Sequence, residues 1–144
     1  MKILVSACLL GCPCRYDGQS KKHPEVEALQ ARGHVLVPVC PEQLGGLPTP
    51  RPPAERQEDG RVMNREGRDV TVQYQRGAEI TLNTAREQGC ELAILKERSP
   101  SCGSGEIYDG TFSGTRVPGD GVTVQLLRQA GIPVLGESQV GKIP

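Results

Sequence analysis

Three apolar runs of this chain each lead into a cysteine: Ile3-Leu4-Val5-Ser6-Ala7-Cys8, Val35-Leu36-Val37-Pro38-Val39-Cys40, and Leu92-Ala93-Ile94-Leu95, with Ser101-Cys102 close behind. Short, nearly unbroken apolar runs read as strands buried on both faces, the signature of a parallel sheet. Parallel strands end along one edge. Three thiols far apart in sequence then converge on a single place, and the fold that achieves this is α/β with its chemistry at that edge.

The rest of the chain supplies the connections. After a first strand over 2–7, Gly11, Pro13 and Asp17-Gly18 punctuate a loop. Pro24, Val26, Leu29 and Gln30 then mark a short helix closed by Gly33, followed by a strand over 34–39. Strand, helix and strand in this order imply a parallel pair with a right-handed crossover. Pro48, Pro50, Pro52 and Pro53 exclude a long helix or central strand from 41–69, while Asp59-Gly60 reads as the turn of a small hairpin over 58–63. From Asp69, apolar residues at helical spacing predict a helix over 70–88, N-capped by Asp69 or Thr71. Gly77 inside it costs about 1 kcal/mol relative to Ala and marks a close contact. A third strand over 91–95, a second hairpin near 107–112, a helix over 121–130 and a strand over 132–135 complete the pattern. The expectation is one domain over 1–144: an α/β three-layer sandwich on a mostly parallel sheet of about four strands, with short β-hairpin excursions.

Lys plus Arg and Asp plus Glu both number 17, which argues against a bulk nucleic-acid binder. With no Trp and one Phe, a base-stacking platform is not expected. No apolar run has the length of a membrane span, and Met1-Lys2 leads straight into a strand without a secretory h-region. The expected location is the cytoplasm, where free thiols persist and clustered cysteines bind metal or do redox chemistry. Oligomeric state is not legible.

Cys8, Cys40 and Cys102 are soft ligands suited to zinc, Cu(I) or iron–sulfur centres. A structural zinc site takes four protein ligands. The two histidines are poor candidates: His34 starts a strand away from the shared edge, and His23 reads as solvent-facing. A 4Fe-4S cluster on three cysteines fits better and leaves one iron open. Zinc is the alternative, and an aerobic preparation would show zinc or an empty site. Arg15, Arg51 and Lys96 stand near the cysteines in sequence and can offset the negative charge. Glycines including Gly103 allow close backbone approach and N–H donation to cluster sulfurs. Cys90 reads as a packed core residue.

The motifs Ser6-Ala7-Cys8-Leu9-Leu10-Gly11, Arg15-Tyr16-Asp17-Gly18, Cys40-Pro41-Glu42, Gly45-Gly46-Leu47, Ser99-Pro100-Ser101-Cys102-Gly103 and Gly119-Asp120-Gly121-Val122 together resemble the 2-thiouracil desulfidase family, along nearly the whole chain. The resemblance implies a compact α/β fold, an oxygen-sensitive 4Fe-4S cluster on Cys8, Cys40 and Cys102, and removal of sulfur from thiolated pyrimidines. It implies acid–base and substrate-orienting roles for Glu42 and for Ser99 or Ser101. The chain departs from the family pattern at Cys12-Pro13-Cys14. Either thiol can replace Cys8 or add a fourth ligand, and the simpler reading is a pair of loop cysteines.

The mechanism expected from these parts is non-redox. An open iron polarises the thiocarbonyl sulfur, and a water activated by Glu42, with Asp17 in reserve, attacks the ring carbon. Ser99 or Ser101 orients the heterocycle, and Tyr16 and Tyr108 pack on it or anchor loops. The rivals are a zinc-binding interaction module and a thiol or persulfide carrier using Cys12 and Cys14.

Overall fold

The structure is a computed structural model that describes residues 1–143. Its strands are β1 (Lys2–Ser6), β2 (Val35–Val39), β3 (Ala54–Arg56), β4 (Val62–Asn64), β5 (Leu92–Leu95), β6 (Glu106–Tyr108), β7 (Arg116–Pro118) and β8 (Val134–Gly136). Its α-helices are α1 (Pro24–Glu27), α2 (Pro41–Leu44), α3 (Thr71–Gln88) and α4 (Val122–Gln129). Four strands form one sheet in the order β2-β1-β5-β8, and every pairing in it is parallel. The two hairpins, β3–β4 and β6–β7, are antiparallel and separate from it.

Alternate side chains of the central strands feed two apolar layers. Ile3, Val5 and Ile94 pack with Val26 and Leu29 of the α1 region and with Val140 and Ile143 near the C-terminus. Leu4, Ala93 and Leu95 pack on the other face with Leu82 and Ala85 of α3 and Val124 and Leu127 of α4. Both faces of β1 and β5 are thus covered, which explains their continuous apolar sequence.

From β1 the chain moves outward to β2, and from β5 it moves the opposite way to β8. The connections diverge between β1 and β5, and such a switch point leaves a crevice beyond the strand ends.

The hairpins expected over 58–63 and 107–112 are wider, pairing Ala54–Arg56 with Val62–Asn64 and Glu106–Tyr108 with Arg116–Pro118, and other boundaries differ as well. The helix expected from Pro24 breaks into α1 and a 3-10 turn at Gln30–Arg32, closed by Gly33 at φ 90°. The last strand starts at Val134 rather than 132, directly after Pro133, which has no N–H for a ladder. Val70 occupies the N-cap of α3 without a side-chain bond, and Asp69 instead accepts the Thr71 amide at 2.9 Å.

Candidate active site

The ends of β1, β2 and β5 open onto a cavity of about 650 Å³ lined by Cys8, Cys14, Cys40 and Cys102. Cys8 lies in the 3-10 turn Ala7–Leu10 that follows β1, closed by Gly11 at φ 98°. Cys40 is the N-cap of α2, one residue beyond β2. Cys102 closes the loop after β5. Cys8 and Cys102 are 7% and 5% exposed.

Burial pushes the Cys8 thiol up to about 11, against the pull of Lys96 and Arg15. Burial pushes Cys102 up as well, Glu42 adds to the shift, and a bond with the Ser6 hydroxyl opposes it. Cys40 goes the other way because the Cys14 thiol donates to it, and the same bond holds Cys14 high. The three strand-end thiols also interact: Cys40 raises Cys8, and both raise Cys102.

This donor set fits an iron–sulfur cluster. Three thiols that must lose protons to bind metal share a cavity with the cations Arg15, Arg51 and Lys96. A mononuclear zinc site requires all its sulfurs about 2.3 Å from one centre. A cluster distributes its thiolates over separate irons.

Glu42, in the first turn of α2, is the most elaborately held side chain of the cavity. Arg51 donates to its Oε2 through Nε at 2.8 Å, and Nη2 closes the ion pair at 2.7 Å. Ser99 Oγ donates to Oε1 at 3.3 Å, and the Tyr74 hydroxyl of α3, pushed up by burial and then by the Glu42 charge, stands close by. Arg51 also donates to the Thr49 hydroxyl and to the Cys14 carbonyl. Lys96 pairs with Glu137 at 2.9 Å, and Arg15 with Asp17 at 3.7 Å. Arg98, a further lining residue, holds φ 69°, a strained value for a long side chain.

The two serines part company. Ser99 lines the cavity. Ser101 is fully buried and shares a 2.7 Å hydroxyl bond with Thr123 of α4, so it faces the core. Asp17 also lies outside the lining: its Oδ1 accepts the Gln19 amide at 3.0 Å in a local turn. Gly103 contributes packing rather than an N–H donor. Its amide is committed to the Ser99 carbonyl at 2.8 Å, and a Cβ there would meet that oxygen at 2.7 Å.

His23 is half-buried, with its Nδ1 turned inward and without a hydrogen-bond partner, and it does not line the cavity. His34 binds the N-terminal ammonium at 3.2 Å, at the start of β2 and far from the cavity end. Sequence reasoning missed Tyr74; Cys14, weighed only alongside Cys12 as an added ligand or a loop cysteine, lines the cavity while Cys12 does not. The one signal for Tyr74 is that a tyrosine on a buried helical face needs a partner for its hydroxyl.

A model of the 2-thiouracil desulfurase family matches residues 3–139. YbbK, an uncharacterised protein of Bacillus subtilis (strain 168), is 45% identical over 150 residues, which span 98% of this chain and 99% of that protein. The solved structure of a 4Fe-4S-dependent thiouracil desulfidase, TudS, is similar with a TM-score of 0.92 at 53% identity, covering 99% of this chain and 94% of that one.

Proposed function

This chain belongs to the 2-thiouracil desulfurase family, and on that premise we propose that it is a 4Fe-4S-dependent desulfidase. It removes sulfur from thiolated pyrimidines such as 2-thiouracil and releases sulfide and the oxo base without redox change. The observation that carries the reading is one cavity bearing three strand-end thiols and a carboxylate fixed beside them.

Cys8, Cys40 and Cys102 would hold the cluster, and Arg15, Arg51 and Lys96, each already paired with a carboxylate, would line its surroundings. When bound, the cluster supplies an open iron that polarises the thiocarbonyl sulfur as a Lewis acid. Everything else falls to the chain. Arg51 occupies Oε2 of Glu42 twice, which leaves Oε1 to take a proton from the attacking water. Ser99 accepts the amides of Ser101 and Cys102, both at 3.1 Å. Its one hydroxyl hydrogen is thereby directed at Glu42. Ser99 positions Glu42, and the proton that Glu42 collects passes to the departing sulfur. Asp17 and Ser101, which lie off the cavity, have no part. Tyr16 and Tyr108 are on the lining, suited to pack against a planar ring.

The whole chain acts as one domain, and its partner is the small thiocarbonyl substrate. Among the described residues no helix is long and apolar enough to cross a membrane, and the thiol-rich site suits the reducing cytoplasm. The test is direct. Protein with verified iron and acid-labile sulfide is mixed with 2-thiouracil under anaerobic conditions. Sulfide and uracil in equal amounts are expected; a loaded cluster that yields neither overturns this substrate class.

A further inference from the structure

One thiol on the cavity wall has no task in the reaction described above. Cys14 is 2% exposed and lines the same cavity as the cluster ligands. It shares that lining with Cys40, whose Sγ donates to the Cys14 carbonyl at 3.7 Å. The segments that carry them are tied by one guanidinium. Arg51 Nη2 donates to the Cys14 carbonyl at 3.0 Å, while the same group grips Glu42, two residues beyond Cys40. Cys102 is buried in the loop after β5, and Cys8 lies in the 3-10 turn that follows β1. Cys12 is also near Cys14, but only Pro13 separates them, and so short a ring strains a disulfide.

We propose that Cys14 and Cys40 form a reversible disulfide when the chain is without its cluster, so that Cys14 guards a ligand thiol. The oxidant is a low-molecular-weight disulfide of the glutathione class. The half-buried Cys40, as thiolate, attacks one sulfur of that disulfide, breaks its S–S bond and expels one thiolate. Cys14, losing its proton, then attacks the Cys40 sulfur and expels the second. Two protein thiols lose two electrons and two protons, and the small disulfide becomes two thiols. An unpaired ligand cysteine would instead climb from sulfenic to irreversible sulfinic acid. The bond also blocks cluster assembly until a thiol reductant opens it. This inference rests on the proposed function only in naming Cys40 a ligand.

The test uses the full chain, stripped of metal and treated with oxidised glutathione. Intact mass should fall by two hydrogens, and proteolysis with fragment sequencing should find Cys14 joined to Cys40. Labelling of Cys40 by an alkylating agent should be lost in wild type and in Cys12→Ser. In Cys14→Ser, Cys40 should be recovered as the mixed disulfide with glutathione or as free thiol. A Cys40 that stays free in oxidised wild type, or is joined to Cys8, Cys12 or Cys102, overturns the proposal. Iron and sulfide uptake on anaerobic reconstitution, after a thiol reductant has opened the bond, reads the cluster separately: a chain that forms the bond but takes up no cluster once reduced overturns the function while the disulfide itself stands.

Discussion

A serine hydroxyl has one hydrogen to give and two positions to receive, and Ser99 uses all three, on the amides of Ser101 and Cys102 and on Glu42. Ser99→Ala therefore removes a loop clamp and an orienting bond together, and its turnover should fall while cluster content persists. Ser101→Ala should do the reverse: loss of the bond to Thr123 costs about 1 kcal/mol of stability, read by denaturation, with turnover near wild type. Glu42→Gln should retain iron and sulfide yet slow sulfide release by about 10²-fold or more. Full activity in that variant would move the base elsewhere. The chain itself pointed to Glu42 through its place beside Cys40, because a residue in the first turn after a strand stays at the strand end. It could not separate Ser99 from Ser101. Two residues apart in a loop, they differ only in which neighbour each meets, and Thr123 is 22 positions away. Tyr74 was hidden for a similar reason, since its spacing marks it as helix core and its carboxylate partner comes from another helix.

Helix α2 is only four residues long, and its position depends on α3. A Cβ at Gly77 would lie 1.9 Å from the Pro41 carbonyl oxygen, and one at Gly45 would lie 2.0 Å from that of Gln73. The two helices therefore cross backbone to backbone, and this crossing sets where Cys40 and Glu42 stand. Gly77→Ala improves helix propensity by about 1 kcal/mol, but the clash is with main chain that cannot swing aside, and overpacking of this kind costs about 1–3 kcal/mol. The clash should win, giving a lower Tm and weaker cluster retention in reconstituted protein. Elements of this fold were readable wherever a period or a stop signal spoke alone: the buried runs of β1 and β5, the long α3, the glycine stops. They were misread where a proline or a tight turn intervened, at the start of β8 and inside the helix after Pro24.

For the whole molecule, the buried thiols couple stability to pH. Cys8 rises from an ordinary value of 9.0 to about 11 in the folded chain. The folded state thus keeps a proton that the unfolded chain releases, so the stabilisation is complete below about pH 9 and is lost as pH climbs toward 11. Two units correspond to about 3 kcal/mol. Denaturation of reduced, cluster-free protein should show this loss between those pH values, and Cys8→Ala should make the fall shallower. Cluster uptake should respond in the opposite sense, improving with pH as the thiols surrender their protons.

The two hairpins bear on one another apart from the sheet. Glu55 of β3 accepts the amides of Gly110 and Phe112 beyond β6 at 3.0 and 3.2 Å, and Gln57 donates to the Gly110 carbonyl. Glu55, Tyr108 and Phe112 all face the cavity. The vessel thus has a floor made of sheet ends, where the thiols stand, and a wall made of paired hairpins that carry none of them. The thiols and the hairpin side chains are carried by separate sheets, so a change at Tyr108 or Phe112 alters the shape of the cavity without touching the strand ends that place the cysteines.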